Sequence, residues 1–270
     1  MLQEYDVVVV GGGHAGCEAA LMSAKMGCST LLVTMNMNTI AQMSCNPAMG
    51  GVAKGQILRE IDALGGGGGF VSDKSAIQFR MLNRSKGPAM WSPRTQNDRM
   101  RSAEEWRLLL ERTPNLDFWQ DTGVRFTTEN GKIKSLITSI GIEINCKSLI
   151  LTNGTFLNGK IHLGLKNFGG GRAGERGVTG LTECLVEHGF DHGRMKTGTP
   201  PRVDGRSLDY SKFEEQAGDE NPGKFSHWEA LKLKEQRSCH NTSTNPETHD
   251  ILRSAFDRSP MFNGDIDSTG

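Results

Sequence analysis

A glycine-rich motif near the start of the chain has the residue types and spacing of a dinucleotide-binding loop. The motif, Gly11-Gly12-Gly13-His14-Ala15-Gly16, follows the apolar run Tyr5–Val10 and precedes a helical pattern. Gly11 permits a tight turn, Gly13 lets the backbone approach a pyrophosphate, and Gly16 lets the helix pack closely on the strand. The amide hydrogens and the positive dipole end of that helix can then hold the phosphates. The motif therefore predicts a bound dinucleotide and redox-type chemistry.

One cysteine has a sequence context that can make a thiol reactive. Cys45 precedes Asn46-Pro47 and a glycine-rich stretch that is predicted to begin a helix. A helix dipole at that place would lower the pKa of the thiol. The alternative is that Cys45 is a small buried apolar residue without chemistry. Spacing alone leaves both interpretations open.

The elements that must position the glycine motif form a β-α-β unit. Residues 5–10 have the pattern of a buried parallel strand, 14–27 that of a helix, and 29–34 that of a second strand. The second strand ends on Thr34-Met35-Asn36, where dinucleotide folds often place an acidic residue for the ribose. We therefore expect neutral side chains or the backbone to make the ribose contact.

A second glycine turn follows a later strand. Strand 147–151 leads into Thr152-Asn153-Gly154-Thr155. Because ligands bind at the carboxyl ends of strands in doubly wound sheets, Asn153, Gly154 and Thr155 are candidate cofactor residues. The strands before this turn, from Leu116 onward, include an Asn130-Gly131 hairpin signal.

Three further stretches have local patterns that the structure can test. We expect Gly65–Gly69 to form a flexible loop. A helix is predicted from about Thr95, with its inward face formed by Met100, Ala103, Trp106 and Leu110. Another helix is predicted over residues 178–188.

Composition excludes several classes of protein. Lys plus Arg and Asp plus Glu balance at 31 each in 270 residues, so nucleic-acid binding does not follow from the net charge. The six cysteines form no C-x-x-C motif, which indicates reduced thiols and a cytoplasmic protein. We expect no signal peptide, no membrane span and no metal site.

Eight segments of the chain form an ordered set that covers essentially its whole length. They are GGGHAG (11–16), MSCNPAMGGVAKGQ (43–56), IDALGG (61–66), IQFRMLNRSKGPA (77–89), LTNGTFLNGKIHLG (151–164), GGGRAGE (169–175), RMKTGTPPRVDGRSLDY (194–210) and FDRSPMFNG (256–264). Together they resemble the glucose-inhibited division protein A family, the FAD-binding subunit of the tRNA uridine-5-carboxymethylaminomethyl modification enzyme. Family members are usually more than twice this length, so the chain is expected to be an N-terminal portion.

The resemblance implies a fold and a domain division. The fold class is α/β, an FAD/NAD(P)-binding Rossmann-type doubly wound sheet with an inserted β-meander and a second insertion domain. Residues 1–199 are expected to form an incomplete FAD-binding domain, with the β insertion near 116–146. Residues 200–270 are expected to begin the insertion domain for NAD or substrate. The isolated chain is expected to bind FAD poorly and to lack activity.

The resemblance also implies an activity. The family adds a carboxymethylaminomethyl or aminomethyl group to C5 of wobble uridine 34 in tRNA, with FAD, NADH as reductant and methylenetetrahydrofolate as one-carbon donor. It works as a homodimer that joins a GTPase partner in a heterotetramer. Cys45 becomes the candidate catalytic thiol, either as a nucleophile or as an acid or base. As a nucleophile, a thiolate added to C6 of uracil would raise electron density at C5. The alternatives are a generic flavin- or NAD-dependent oxidoreductase and a non-catalytic fragment.

Basic residues are the candidates for contacts with tRNA. Seven Lys and Arg residues stand between Arg80 and Arg107 against three acids, and Arg94 and Arg99 are taken from this segment. Lys196 and Arg202 flank Gly-Thr-Pro-Pro and are candidates for a substrate loop. A run of charge is more often a solvated face, which is the alternative for any single residue of the first group.

Overall fold

The chain folds into six helices and thirteen strands within the part that the structure, a computed structural model, describes, residues 4–228 and 233–266. The strands are β1 (Tyr5–Val10), β2 (Thr30–Thr34), β3 (Ala48–Gly50), β4 (Ala76–Leu82), β5 (Ser92–Asn97), β6 (Leu116–Gln120), β7 (Gly123–Glu129), β8 (Lys132–Thr138), β9 (Glu143–Leu151), β10 (Lys160–Leu163), β11 (Lys166–Gly169), β12 (Glu214–Gln216) and β13 (Cys239–Asn241). The helices are α1 (His14–Lys25), α2 (Gly55–Ala63), α3 (Gly68–Ser75), α4 (Arg99–Glu111), α5 (Leu181–Glu187) and α6 (Pro246–Arg253).

The largest sheet has six strands in the order β6-β2-β1-β9-β8-β7. Strands β6, β2, β1 and β9 run parallel, and β9, β8 and β7 form an antiparallel meander. Strand β9 belongs to both parts, because Cys146–Leu151 pairs with β1 while Glu143–Asn145 pairs with β8. The predicted α/β class and the β1-α1-β2 unit are confirmed.

The two faces of the parallel sheet are covered by different elements. On one face, Val9 and Leu32 join a buried cluster with Leu21 of α1, Val71 of α3 and Trp106 of α4. On the other face the buried cluster is formed with the meander, from residues Val8, Val10, Leu31, Val33, Leu136 and Ile144. Burial on both faces explains why β1 and β2 are almost continuously apolar.

A smaller antiparallel sheet, β3-β5-β4, stands beside α2 and α3. The segment Ala217–Ser238 belongs to the same compact unit and covers the outer edge of β4. The Asp219 amide donates to the Phe79 carbonyl at 2.9 Å, and Phe225, with no exposed surface, packs edge-on against the Phe79 ring. The amides of Phe225 and Ser226 donate to the Asp73 carboxylate, each at 2.8 Å.

The glycine run 65–69 is not a flexible loop, so that prediction is wrong. Helix α3 begins at Gly68, and residues 66–69 are buried. The Gly67 and Gly68 amides donate to the two carboxylate oxygens of Glu18, at 2.9 and 2.7 Å. A Cβ added at Gly69 would stand 2.5 Å from Asp62 Oδ1. These glycines therefore serve close packing between α1, α2 and α3.

The helix predicted from about Thr95 begins later than expected. Residues 92–97 form β5, and Asp98 caps α4 by accepting hydrogen bonds from the amides of Met100 and Arg101, at 3.0 and 3.1 Å. Trp106 and Leu110 are buried as predicted, whereas Met100 is 78% exposed. Strand β5 was not predicted because its sequence is polar and shows no alternation of apolar residues. Its structure follows from its pairing with β3 and β4.

The β insertion also begins later than residue 116. Strand β6 pairs in parallel with β2 and so belongs to the Rossmann-type part, whereas the meander starts at Gly123. The predicted Asn130-Gly131 turn is confirmed, because it joins β7 to β8 with Glu129 opposite Lys132. The helix predicted over 178–188 is shorter, at Leu181–Glu187.

The chain divides into two compact units. The first runs to Gly154 and takes in Ala217–Ser238, and the second comprises Thr155–Gln216 and the residues from Cys239 onward. The boundary expected near residue 199 therefore lies inside the second unit. That unit contains the β10–β11 hairpin, the β12–β13 pair, α5 and α6. None of the helices in the described ranges has the length and apolar character needed to cross a membrane.

Candidate functional site

The carboxyl ends of β1, β2 and β9 bring the glycine motif and the second glycine turn together. The Gly11 amide donates to the Val33 carbonyl at 2.8 Å, and the Thr152 amide donates to the Val10 carbonyl at 2.9 Å. Thr152 Oγ1 donates to the carbonyls of Val10 and Gly11, at 2.9 and 3.0 Å. This edge is where open α/β sheets bind their ligands.

Two glycines of the motif are required by close contacts within the protein. Gly11 has a φ of +108°, and a Cβ there would stand 2.5 Å from the Thr152 carbonyl oxygen. A Cβ at Gly16 would overlap the Gly11 carbonyl oxygen and stand 2.7 Å from Thr152 Oγ1. Since any side chain at Gly16 would push α1 away from the strand ends, this glycine sets the distance between helix and sheet.

The amino terminus of α1 has the properties of an anion site. Its cap residue, Gly13, provides no side-chain hydrogen bond, and the first turn contains no acidic residue. The first intrahelical hydrogen bond runs from the Cys17 amide to the Gly13 carbonyl, so the amides before Cys17 have no helical acceptor. A Cβ at Gly13 would meet nothing within 4 Å. The cradle therefore fits a diphosphate, which these amides and the helix dipole would hold.

In the glycine motif and the second glycine turn, two buried polar atoms lack a hydrogen-bond partner within the described ranges. They are His14 Nε2, in the first turn of α1, and Asn153 Oδ1, two residues beyond β9. Burial lowers the pKa of His14, so the imidazole is held neutral. Buried polar atoms normally have hydrogen-bond partners. A bound ligand could supply the missing partner for each of these two atoms.

The boundary between the two compact units falls at Gly154, inside the second glycine turn. Asn153 and Gly154 belong to the first unit, with the glycine motif, whereas Thr155 begins the second. Gly154 has a φ of +57°, and a Cβ there would meet nothing within 4 Å. Thr155 Oγ1 donates to the Gly171 carbonyl at 2.8 Å, so its hydroxyl has a partner within its own unit.

The end of β2 is neutral, as its sequence shows. A Cβ at Gly12 would stand 2.7 Å from Thr34 Oγ1, and Asn36 Oδ1 accepts a hydrogen bond from the Asn38 amide at 2.9 Å. The Asn36 side-chain oxygen therefore already has a donor within the protein.

An acidic residue that the sequence analysis did not identify, Asp121, directly follows β6 at this edge. The Asp121 amide donates to the Thr34 carbonyl at 3.0 Å, and Asp121 Oδ1 accepts from the Thr122 amide and Ser139 Oγ, at 2.6 and 2.5 Å. Burial opposes ionisation, but hydrogen bonds from Ser139 and other donors outweigh it and lower the pKa of Asp121. Its Oδ2 is buried and has no partner in the described part of the chain. The only sequence signal was an Asp directly after a strand.

Cys45 is half-buried in the segment that leads into the small sheet. The expected position at a helix start is wrong, because β3 follows Cys45 and α2 begins only at Gly55. The loop is attached to β5 by a hydrogen bond from the Asn97 amide to the Pro47 carbonyl, at 2.7 Å. The thiol is therefore positioned by the sheet, and helix-dipole activation from α2 does not apply.

The four predicted substrate residues lie on different elements. Arg94 is half-buried on β5, the central strand of the small sheet, and Arg99 is the first residue of α4. Lys196 and Arg202 lie in irregular segments of the second unit, where Lys196 Nζ is 3.9 Å from Met261 Sδ. No group of three or more His, Cys, Asp or Glu residues is arranged for a metal ion within residues 4–228 and 233–266.

Comparison with known proteins shows a family. The family model described as "Glucose inhibited division protein A" matches residues 6–270. The tRNA uridine 5-carboxymethylaminomethyl modification enzyme MnmG of Flavobacterium johnsoniae is 67% identical over 270 residues, which are 100% of this chain and 43% of that protein. The protein of that name from Porphyromonas gingivalis is 55% identical over 267 residues, 98% of this chain and 43% of that protein.

Solved structures agree with this match. Aquifex aeolicus GidA superposes with a TM-score of 0.93 at 45% identity in its form I crystal, over 99% of this chain and 46% of that one. In the form II crystal the TM-score is 0.91 at 46% identity, over 95% of this chain and 44% of that one. The chain thus spans less than half the length of the proteins that it matches.

Proposed function

This chain belongs to the glucose inhibited division protein A family, and from that premise we propose that its protein modifies the wobble uridine of tRNA with a bound FAD. The reaction adds a carboxymethylaminomethyl or aminomethyl group to C5 of uridine 34. NADH is the proposed reductant and methylenetetrahydrofolate the one-carbon donor. The uncapped amino terminus of α1, with open space at Gly13, is the observation that supports the cofactor site most strongly.

The residues of the first unit would bind the FAD through its phosphates. Amides from Gly12 to Ala15 would hold the diphosphate, and Asn153 and Gly154, which follow β9, would contact the cofactor at the same edge. Thr155, the next residue of that turn, is the third proposed cofactor residue there. When bound, a reduced flavin supplies a carrier for a one-carbon unit at the required oxidation level, which no side chain can provide.

Cys45 is the proposed nucleophile toward the uracil ring. Its thiolate adds to C6, and the electron pair of the C5–C6 double bond then makes C5 a nucleophile. As C5 bonds to the one-carbon unit, the bond between that unit and its carrier breaks and the carrier keeps the electron pair. C5 then gives its proton to solvent water, and the electron pair of that C–H bond restores the double bond and expels the thiolate.

Arg94, Arg99, Lys196 and Arg202 are the proposed contacts to tRNA phosphates. The position of Arg99 supports this role. A cation at the amino terminus of α4 opposes the helix dipole, so Arg99 does not serve to stabilise the helix and its charge is available for a phosphate. The cytoplasmic location, the homodimer and the heterotetramer with a GTPase partner are proposed from the family resemblance.

An omission assay tests this function. The complete gene product is incubated with unmodified tRNA, the GTPase partner, NADH and methylenetetrahydrofolate, and nucleoside 34 is analysed by mass spectrometry. We expect the modified nucleoside only when every component is present, and a flavin absorption spectrum of the purified protein. Turnover of small molecules without any mass change at nucleoside 34 would instead indicate a generic oxidoreductase.

A further inference from the structure

Ion pairing divides the basic segment 80–107 into two groups. Arg84 pairs with Asp219, Arg101 with Glu105, and Arg107 with Glu111, at 2.8, 4.0 and 2.7 Å. The remaining basic residues form no ion pair with an acid in the described part of the chain; they are Arg80, Lys86, Arg94 and Arg99. Two of these four face each other.

Arg80 of β4 and Arg94 of β5 are directly opposite in the antiparallel register. Both residues are half-buried. Opposite residues on antiparallel strands extend their side chains from the same face, with Cβ atoms about 5 Å apart. Two like charges in this relation are destabilising unless a counter-charge lies between them. The protein's own described carboxylates do not supply one.

The neighbouring row of the same face is also polar. Gln78 is opposite Gln96, two residues along from Arg80 and Arg94 respectively. Gln78 is buried. Side chains at i and i+2 on a strand share a face, so the glutamine pair and the arginine pair lie on one side of the small sheet. The two half-buried guanidinium groups provide donors suited to an oxyanion on that face.

We propose that Arg80 and Arg94 form a two-arginine clamp for one phosphate group of the RNA substrate. The guanidinium fork matches the geometry of phosphate oxygens and can bind them in pairs. The proposal rests on the proposed function, since it takes tRNA as the substrate. The proposed function assigns Arg94 a single contact with a tRNA phosphate. The clamp adds Arg80, the residue opposite Arg94, as a second contact with the same phosphate.

Both an RNA phosphodiester and the diphosphate of a dinucleotide offer this chemistry, and the location favours RNA. The amides at the start of α1 already provide for the diphosphate, and α1 packs on the six-stranded sheet. The clamp lies on the small sheet, which is also the sheet that holds the Cys45 loop through the hydrogen bond from Asn97 to Pro47. Strand β3, which follows that loop, pairs with β5 and places Gly50 opposite Arg94, so the loop and the clamp are held by the same strands.

Binding of unmodified tRNA by the complete, flavin-loaded gene product tests the clamp. Arg80→Gln and Arg94→Gln are compared with Arg112→Gln, which removes the same charge from an exposed position at the end of α4. We expect each clamp variant to bind tRNA about tenfold more weakly. The slope of log K against log salt should become less steep, its magnitude falling by about 0.7–0.9, the value for one phosphate contact. Arg112→Gln should change neither quantity.

Further readouts separate the possible failures. Flavin content should be unchanged in both clamp variants, and loss of FAD with intact tRNA affinity would overturn the proposal in favour of a cofactor contact. Wild-type affinity and salt slope in both clamp variants would also overturn the clamp. If the wild-type protein modifies tRNA in the same preparation, that result contradicts the clamp alone and leaves the proposed function standing. If a Gln variant fails to fold, Arg80→Lys retains the charge and should weaken binding with an unchanged salt slope. A Lys variant with wild-type affinity would contradict a forked contact.

Discussion

Gly13 and Gly16 stand in one motif, yet the structure gives them opposite tolerances for a side chain. A Cβ at Gly13 meets no protein atom within 4 Å, whereas a Cβ at Gly16 overlaps the Gly11 carbonyl. The φ of Gly13 is −77°, which any L-residue adopts. Gly13 is thus left open for a ligand, and Gly16 is closed by the fold.

Alanine substitutions should separate these two roles. Gly13→Ala is expected to leave the free energy of unfolding within about 0.5 kcal/mol of wild type, because no contact is disturbed. Its FAD affinity should nevertheless fall at least tenfold, since the methyl group occupies the diphosphate position. Gly16→Ala should lower both stability and FAD content. Chemical denaturation and FAD titration measure the two effects, and normal FAD affinity in Gly13→Ala would contradict the assignment.

Cys45 can be tested apart from cofactor binding, because its loop is anchored to the small sheet. Cys45→Ala should abolish modification of uridine 34 while flavin content stays unchanged. With 5-fluorouridine at position 34, the wild type should form a covalent adduct, since C5 then has no proton to lose. Retained modification by Cys45→Ala would refute a catalytic thiol, and loss of activity without a trapped adduct would refute the nucleophile role.

His14 should make stability depend on pH. Its folded-state pKa is lowered by burial, so below about pH 6.5 the unfolded chain binds a proton that the folded chain excludes. Stability is therefore retained above that pH and lost as the pH falls. Between about pH 7.5 and 5.5, His14→Gln should therefore lose less stability than wild type. Identical pH profiles for wild type and His14→Gln would exclude this role of His14.

At the scale of elements, the sequence predicts those whose structure follows from local pattern. Strand β1, helix α1 and strand β2 were predicted because four consecutive valines and a helical repeat flank the glycine motif. The small sheet was missed, because β5 consists of Ser-Pro-Arg-Thr-Gln-Asn and shows no alternation of apolar residues. Its pairing partners are distant in sequence, which local patterns do not record.

Helix α3 shows how tertiary contacts override propensity. Glycine disfavours helices, yet α3 begins within a run of five glycines. Burial raises the pKa of Glu18, although the Gly67 and Gly68 amides that donate to its carboxylate lower it in part. The carboxylate thus replaces a side-chain cap for α3.

Removing this carboxylate should therefore destabilise the junction of α1 and α3. Glu18→Ala leaves the amides of the buried residues Gly67 and Gly68 without their acceptor, which should lower the free energy of unfolding by about 2–4 kcal/mol. The control is Glu111→Ala, which breaks an exposed i,i+4 ion pair with Arg107 and should change stability by under about 1 kcal/mol. Equal effects in urea denaturation would contradict the capping role.

At the scale of the whole molecule, two compact units divide the candidate residues. The first contains the glycine motif, Cys45, Arg94 and Arg99, and the second contains Lys196 and Arg202. Sequence motifs identified members of both sets but not this division, because the chain crosses from the first unit to the second at Gly154 and returns at Ala217. The segment that starts at Ala217 is held in the first unit by the hydrogen bond from the Phe225 amide to the Asp73 carboxylate and by the burial of Phe225. These contacts join residues that are distant in sequence, so no local pattern predicts them.

The most direct test of the central claim is a structure of the complete gene product with FAD bound. We predict diphosphate oxygens about 2.7–3.2 Å from amide nitrogens in the Gly12–Ala15 stretch, with the open side of Gly13 facing the phosphates. A diphosphate bound elsewhere, with the amino terminus of α1 in contact with no part of the cofactor, would contradict the account.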